Sequence, residues 1–282
     1  MPYLTIGEEQ LYYEDHGAGR PVVLIHGWPL SGASWEKQVT ALLDAGYRVI
    51  TYDRRGFGAS SKPTFGYDTD ALADDLHEVI TKLQLRGVAL VGFSMGTGEV
   101  IRYLATYGSM RVSRVVLIAP IAPFLLRTPD NPLGVDGGVF EGIRDALLVD
   151  RLAYLTRFLA SFYNFDVLGG TRVSEEVLHF GWNIASHASP TGTLACVSSW
   201  LTDFRGDLAS IDVPTLVVQG DADRILPLAA TGARLPEAIA GSRLVVVKGG
   251  PHGLCWTHDE VLHPELLAFL RPLRSEQNIA LV

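Results

Sequence analysis

The pentapeptide Gly92-Phe-Ser94-Met-Gly96 sets a serine between two glycines, after the apolar run Val88-Ala-Leu-Val91 and before the helix-forming segment Thr97 to Ala105. Where a strand turns sharply into a helix, the residue at the turn is held out from the chain. Small residues two positions to either side are then required, because larger ones would strike the adjoining strand and helix. Ser94 is therefore the candidate nucleophile. A serine hydroxyl attacks poorly at neutral pH unless an imidazole takes its proton, and that imidazole needs a carboxylate to orient it. On such a scaffold the chain order is serine, acid, histidine. His252, in the turn-rich stretch Gly249-Gly-Pro-His-Gly253, is the candidate base, while His258 and His263 read as solvated or helix-capping. The acid belongs in the loop Gln219 to Pro227, where spacing alone does not separate Asp221 from Asp223. Asp53 lies before the serine and reads as a loop-bonding residue. Acyl transfer also needs N–H donors for the developing oxyanion. Met95 supplies one at the helix start. Trp28, in His26-Gly-Trp28-Pro29, is the best second donor, since Pro29 has no N–H; His26 reads as structural.

These residues need a scaffold. Pro21 to Ile25, Tyr47 to Tyr52, Val88 to Val91, Val115 to Ile118, Thr215 to Val218 and Arg243 to Val247 are short β-branched runs without alternation, as suits strands buried on both faces of a parallel sheet. Tyr3 to Ile6 and Gln10 to Glu14 alternate instead, and predict an antiparallel hairpin. Helical spacing appears over 35–45, 70–83, 99–107 and 264–270. Strand and helix thus alternate, which implies right-handed crossovers and an α/β doubly wound sheet. The alternation breaks between Pro120 and Ile211, where Leu147, Leu148, Leu152, Tyr154, Phe158, Phe162, Tyr163 and Phe165 recur at helical spacing. A core of residues 1–120 and 211–282 with a helical cap at 121–210 is expected. The cap belongs over the carboxyl ends of the strands, where open α/β sheets bind ligands.

Composition narrows the possible functions. The 282 residues are 48% hydrophobic and 19% charged, ordinary for a globular chain, and the net charge of -8 disfavours nucleic acid and anionic membrane surfaces. Cys196 and Cys255 are too few for a disulfide scaffold and lack metal-ligand spacing, so no structural metal is expected. With no signal-like start and no apolar run of about 18 to 20 residues, a cytoplasmic protein is expected.

Several longer strings extend the match well beyond the serine turn: Leu11-Tyr-Tyr-Glu-Asp-His-Gly17, Asp44 to Gly58, Gly92 to Val100, Thr202-Asp-Phe-Arg205 and Pro251-His-Gly-Leu254. Through them the chain resembles the α/β-hydrolase superfamily, and within it the cofactor-free bacterial haloperoxidases with their aryl esterase and perhydrolase relatives. The resemblance runs nearly end to end. It implies that the acid is the residue before Arg224, so Asp223 joins Ser94 and His252, with Trp28 and Met95 as oxyanion donors. It also implies trimer-based homo-oligomers. Gln219 departs from the family, which often has His there, and the inserted segment matches less evenly. The implied substrates are an ester or carboxylic acid and hydrogen peroxide. Ser94 would form an acyl-enzyme, water would release it as in an esterase, and peroxide would release a peracid that oxidises halide in solution. Pro29 either sets the Trp28 carbonyl for a hydrogen bond from peroxide or is purely structural, and the sequence leaves both readings open. The alternative is a lactamase or other small amide or ester hydrolase on the same scaffold. A non-catalytic receptor fits least well, because the triad is complete.

Overall fold

Eight strands form one sheet in the order β1-β2-β4-β3-β5-β6-β7-β8 in a computed structural model that describes residues 2–271. They are β1 (Tyr3–Ile6), β2 (Glu9–His16), β3 (Pro21–Ile25), β4 (Arg48–Tyr52), β5 (Val88–Phe93), β6 (Val112–Ile118), β7 (Thr215–Gly220) and β8 (Arg243–Val247). The β1–β2 and β2–β4 pairings are antiparallel and the rest parallel. Burial explains the two sequence patterns. Every residue of β5 and β7 is buried, so neither face selects polar side chains, whereas β1 alternates between exposed and half-buried positions.

Strand order reverses at β3. The chain leaves β3 through the helix Glu36–Asp44 for β4 on one side, returns through the helix Thr69–Lys82, and enters β5 on the other. Such a switch point opens a crevice at the carboxyl ends of the two strands, so His26 after β3 and Ser94 after β5 face one another across it. Helices α1 (Glu36–Asp44), α2 (Thr69–Lys82) and α3 (Met95–Tyr107) cover the sheet, with α2 packed on α3. Asp68 caps α2 by accepting from the Ala71 N–H at 2.9 Å.

Between β6 and β7 the chain is helical, as its spacing predicts: α4 (Gly137–Phe162), α5 (Phe165–Leu168), α6 (Glu175–Ser186) and α7 (Pro190–Ser199). Asp150 breaks α4 with extended torsions, φ -157° and ψ 91°, and its carboxylate caps the second half through the Ala153 N–H. The break changes which residues face inward: Leu147 is buried, but Leu148 and Val149 are 69% and 87% exposed.

The chain closes with α8 (Leu235–Ala238), α9 (Leu254–Thr257) and α10 (Asp259–Leu270), which packs on α1. The sequence spacing starts this last helix too late. It begins at Asp259, and Pro264 lies inside it, where the carbonyl left without a donor is that of solvent-exposed Glu260. His258 is neither solvated nor a side-chain cap. The helix pair buries it to 5% exposure, with Nδ1 2.9 Å from the Thr257 hydroxyl, and burial lowers its pKa. His263 is half-buried against the Gln38 amide at 3.0 Å. Among the described residues, no helix is long and apolar enough to cross a membrane.

Candidate active site

Ser94 ends β5 and begins α3 with φ +53° and ψ -121°, a left-handed conformation that a non-glycine residue adopts only under constraint. The glycines two residues away supply the room. A Cβ on Gly92 would lie 2.8 Å from the Gly96 carbonyl oxygen, and one on Gly96 would lie 2.4 Å from the Ile25 carbonyl oxygen. Both clashes are with backbone, which cannot rotate away. Gly27 is needed too, since its Cβ would come within 3.0 Å of the Ser94 Cβ.

The three residues of the expected triad converge. The Ser94 Oγ lies 2.9 Å from His252 Nε2, and His252 Nδ1 lies 2.8 Å from Asp223 Oδ2. An ionised carboxylate accepts only, so Nδ1 carries the imidazole proton and Nε2 is left to accept from the serine. The His252 and Asp223 side chains are fully buried, which strengthens their interaction by excluding water. Phe93 and Phe162 pack on the imidazole with ring centroids 5.2 and 5.1 Å away, limiting its rotation. Asp223 Oδ1 is held separately by the N–H groups of Ile225 and Leu226, at 2.9 and 2.8 Å.

Asp221 goes elsewhere. It is exposed and accepts from the Gly249 N–H at 2.6 Å, tying the loop after β7 to the loop that carries His252. Gln219 is fully buried beneath the acid loop. Its amide nitrogen donates to the Leu226 carbonyl and its amide oxygen accepts from the Gly232 N–H, so this departure from the family pattern braces the loop. Asp53 bonds loops as expected: its two oxygens accept from the Gly32 and Ala59 N–H groups, both at 2.8 Å.

His26 is fully buried beside the guanidinium of Arg54, and burial and that charge push its pKa well below the usual range. Nε2 accepts from the Arg54 backbone N–H at 3.0 Å, so Nδ1 carries the proton and donates to the Gly27 carbonyl at 2.9 Å. Both ring nitrogens are committed to backbone.

Met95 is the first residue of α3, where a helix leaves its N–H groups without intrahelical acceptors and favours negative charge. Trp28 is buried after β3, its indole N–H bound to the Thr193 carbonyl of α7 at 3.1 Å. Its ring meets Phe158 and Trp200 edge-on, with centroids 5.0 and 4.9 Å apart. These aromatics, with Ile121, Leu125 and Phe140, wall a cavity of about 260 Å³ that reaches Ser94. Among the described residues, Arg224 is the one charged residue in that wall. Its guanidinium meets Asp166 of α5 at 2.7 Å.

Sequence reasoning missed three things. Phe162, though noted as apolar, was not seen to touch the imidazole; the Gln219 brace was seen only as a departure; and the buried pair Arg54–Glu99 was not seen at all. A signal for the last existed, because Glu99 interrupts the otherwise apolar face of α3, where an unpaired charge is not tolerated.

Comparison with known proteins agrees with this fold. The family described as alpha/beta hydrolase fold matches residues 20–259. A putative non-heme chloroperoxidase from Synechocystis sp. is 60% identical over 276 residues, covering 96% of this chain and 100% of that protein. The bifunctional esterase/perhydrolase of Acinetobacter calcoaceticus is 34% identical over 276 residues, with coverage of 96% and 100%. Among solved structures, a bromoperoxidase from Bacillus anthracis superposes with a TM-score of 0.91 at 48% identity, over 94% of this chain and 96% of that one. The chain thus belongs to the α/β-hydrolase fold family and is an enzyme of the non-heme haloperoxidase, esterase and perhydrolase type within it.

Proposed function

We propose that the protein is a serine acyltransferase-hydrolase in which Ser94, His252 and Asp223 form an acyl-enzyme from an ester or carboxylic acid. Ser94 Oγ attacks the carbonyl carbon as its proton passes to His252 Nε2, and Asp223 stabilises the imidazolium. The Met95 and Trp28 backbone N–H groups receive the oxyanion. His252 then returns the proton to the departing alkoxide or hydroxide. Water cleaves the acyl-enzyme to the acid; hydrogen peroxide cleaves it to a peracid, with Ser94 regaining its proton in both cases. The peracid oxidises bromide or chloride in solution to hypohalous acid and is itself reduced to the carboxylic acid. None of these steps calls for a metal or redox cofactor. One observation carries the reading: the bonds from Ser94 through His252 to Asp223, 2.9 and 2.8 Å long, at the foot of an apolar cavity.

The helices at 121–210 act in this proposal as a lid that sets acyl selectivity over a core of 1–120 and 211–282. The assembly is trimer-based, so light scattering is expected to return three times the 30.6 kDa chain or a multiple of that; a monomer refutes this part.

The chemistry is tested by following dye bromination against carboxylate concentration at fixed peroxide and bromide, beside ester hydrolysis, in the parent and in Ser94→Ala. Both activities are expected to vanish with the serine, and bromination to stop without carboxylate or ester. Bromination that persists at zero acyl donor overturns the peracid route.

A further inference from the structure

The two proposed oxyanion donors come from different elements, Met95 from α3 and Trp28 from the loop after β3. Their separation must hold to within a few tenths of an ångström for both to reach one oxygen. The loop's own side chains do not tie it to α3: Gly27 has none, the His26 ring bonds the Arg54 and Gly27 backbone, and the Trp28 indole bonds α7.

We propose that Arg54 and Glu99 are positioning residues that index the Trp28 loop to the nucleophile helix. This inference rests on the acyl-transfer reading above. Arg54 Nη2 donates to the His26 carbonyl at 2.6 Å, two residues before Trp28, while its Nε donates to the Glu99 carboxylate. Glu99 belongs to α3, little more than one turn beyond Met95. One planar guanidinium therefore bonds both donor-bearing elements, and its fixed fork allows little change in their spacing. The Tyr52 hydroxyl donates to the second Glu99 oxygen at 2.7 Å and so fixes the carboxylate against β4. All three side chains are buried, with Arg54, Glu99 and Tyr52 each 1% exposed.

The loop is also poorly able to absorb an error. A Cβ on Gly96 would lie 2.9 Å from the His26 carbonyl oxygen, so the carbonyl that Arg54 holds already runs against the first turn of α3. Stability alone does not require charge here. A buried ion pair replaced as a unit by apolar residues of similar volume is often neutral or stabilising, whereas removing one partner strands the other.

That asymmetry supplies the test. The triple variant Tyr52→Phe, Arg54→Met, Glu99→Leu removes the charges and the orphaned hydroxyl together. It is compared with the parent by ester kinetics, thermal melting and inhibition by phenylboronic acid, whose adduct on serine places an oxygen in the oxyanion site. The His26 carbonyl loses its donor, so the melting temperature is expected to fall by a few degrees with the fold kept, kcat to fall about 10- to 100-fold, KM to stay within about threefold, and the boronate Ki to rise with the kcat loss. A folded triple variant with kcat and Ki near the parent values overturns the proposal, as does a loss confined to KM. Should the triple variant not fold, Tyr52→Phe decides. It loosens only the Glu99 carboxylate, and kcat is expected to fall about three- to tenfold with Ki rising in step; unchanged values overturn the proposal. Labelling of the parent by a fluorophosphonate separates the two readings. If Ser94 is not labelled, both fall; if it is labelled and the variants are unimpaired, only this one does.

Discussion

Replacing Asp223 by asparagine is the most informative single change, because the surroundings dictate how the new amide must sit. Asp223 Oδ1 receives the Ile225 and Leu226 N–H groups, which only donate, so the asparagine oxygen is held there. The NH2 group is then forced to the Oδ2 position, 2.8 Å from His252 Nδ1. Two donors cannot face one another, so the imidazole proton moves to Nε2 and points at Ser94, which is left without a base. The Gln219 amide nitrogen, 3.4 Å from Oδ2, opposes the NH2 group as well. With both side chains sealed from water, solvent offers little relief. The expected loss in kcat is about 10⁴-fold, equivalent to about 5.5 kcal/mol of barrier. Asp221→Asn is the internal control. Its exposed side chain accepts one loop N–H and touches no triad residue, so its kcat is expected to stay within about threefold of the parent. Hydrolysis of p-nitrophenyl acetate, normalised to folded protein by circular dichroism, reads both variants. A loss below tenfold for Asp223→Asn, or an equal loss for Asp221→Asn, refutes the tautomer argument.

Gly96→Ala drives a methyl to 2.4 Å from the Ile25 carbonyl oxygen and is expected to cost about 3 kcal/mol by urea unfolding; a cost below 1 kcal/mol sinks the close-approach account. Phe158→Ala widens the cavity, and the ratio of kcat/KM for hexanoyl to acetyl esters is expected to rise about tenfold, a shift that an unchanged chain-length profile contradicts. Stability should fall with acidification below about pH 6.5. His26, His258 and His263 all have folded pKa values lowered from 6.5 by burial, so the unfolded chain binds more protons in that window. Urea midpoints at pH 7 and pH 5.5 check the sign, and His26 alone accounts for up to about 1.4 kcal/mol per pH unit.

How much of this was legible in the sequence depended on how local the information was. The serine turn was fully legible because Gly92, Ser94 and Gly96 carry their steric reasons within five residues. Strands β3 to β7 were legible as well, since burial on both faces leaves unbroken apolar runs; β8 has the same kind of run but lies at the sheet edge, with Arg243 and Val246 exposed. Asp221 and Asp223 were not separable by spacing, because each reaches a partner about 28 residues away and only the folded loop shows which one meets the imidazole. Arg54 and Glu99 lie 45 positions apart, and their pairing depends on two elements meeting across the switch point. The inserted helices were legible as helices, yet their inward face was not. A 3.6-residue period cannot be carried across the break at Asp150, so the apolar recurrence from Leu147 to Phe165 does not show that Leu148 and Leu152 are exposed while Leu147 and Leu155 are buried.

The end of α4 has a consequence for redesign. The Phe162 carbonyl accepts the Gly253 N–H at 2.8 Å, the Phe162 ring packs on His252, and the Asn164 amide donates to the Ala222 carbonyl at 2.8 Å. The proposed catalytic base and the loop of the proposed acid are thus held partly by residues that arrive with the inserted helices. Those helices are therefore not interchangeable cargo. A chimaera that swaps them wholesale should keep its sheet and lose its chemistry, whereas one that retains residues 158–166 as a graft junction keeps the hinge on which the base is mounted. Denaturation should follow the same line, with activity vanishing at denaturant concentrations where the sheet still gives its full far-ultraviolet signal.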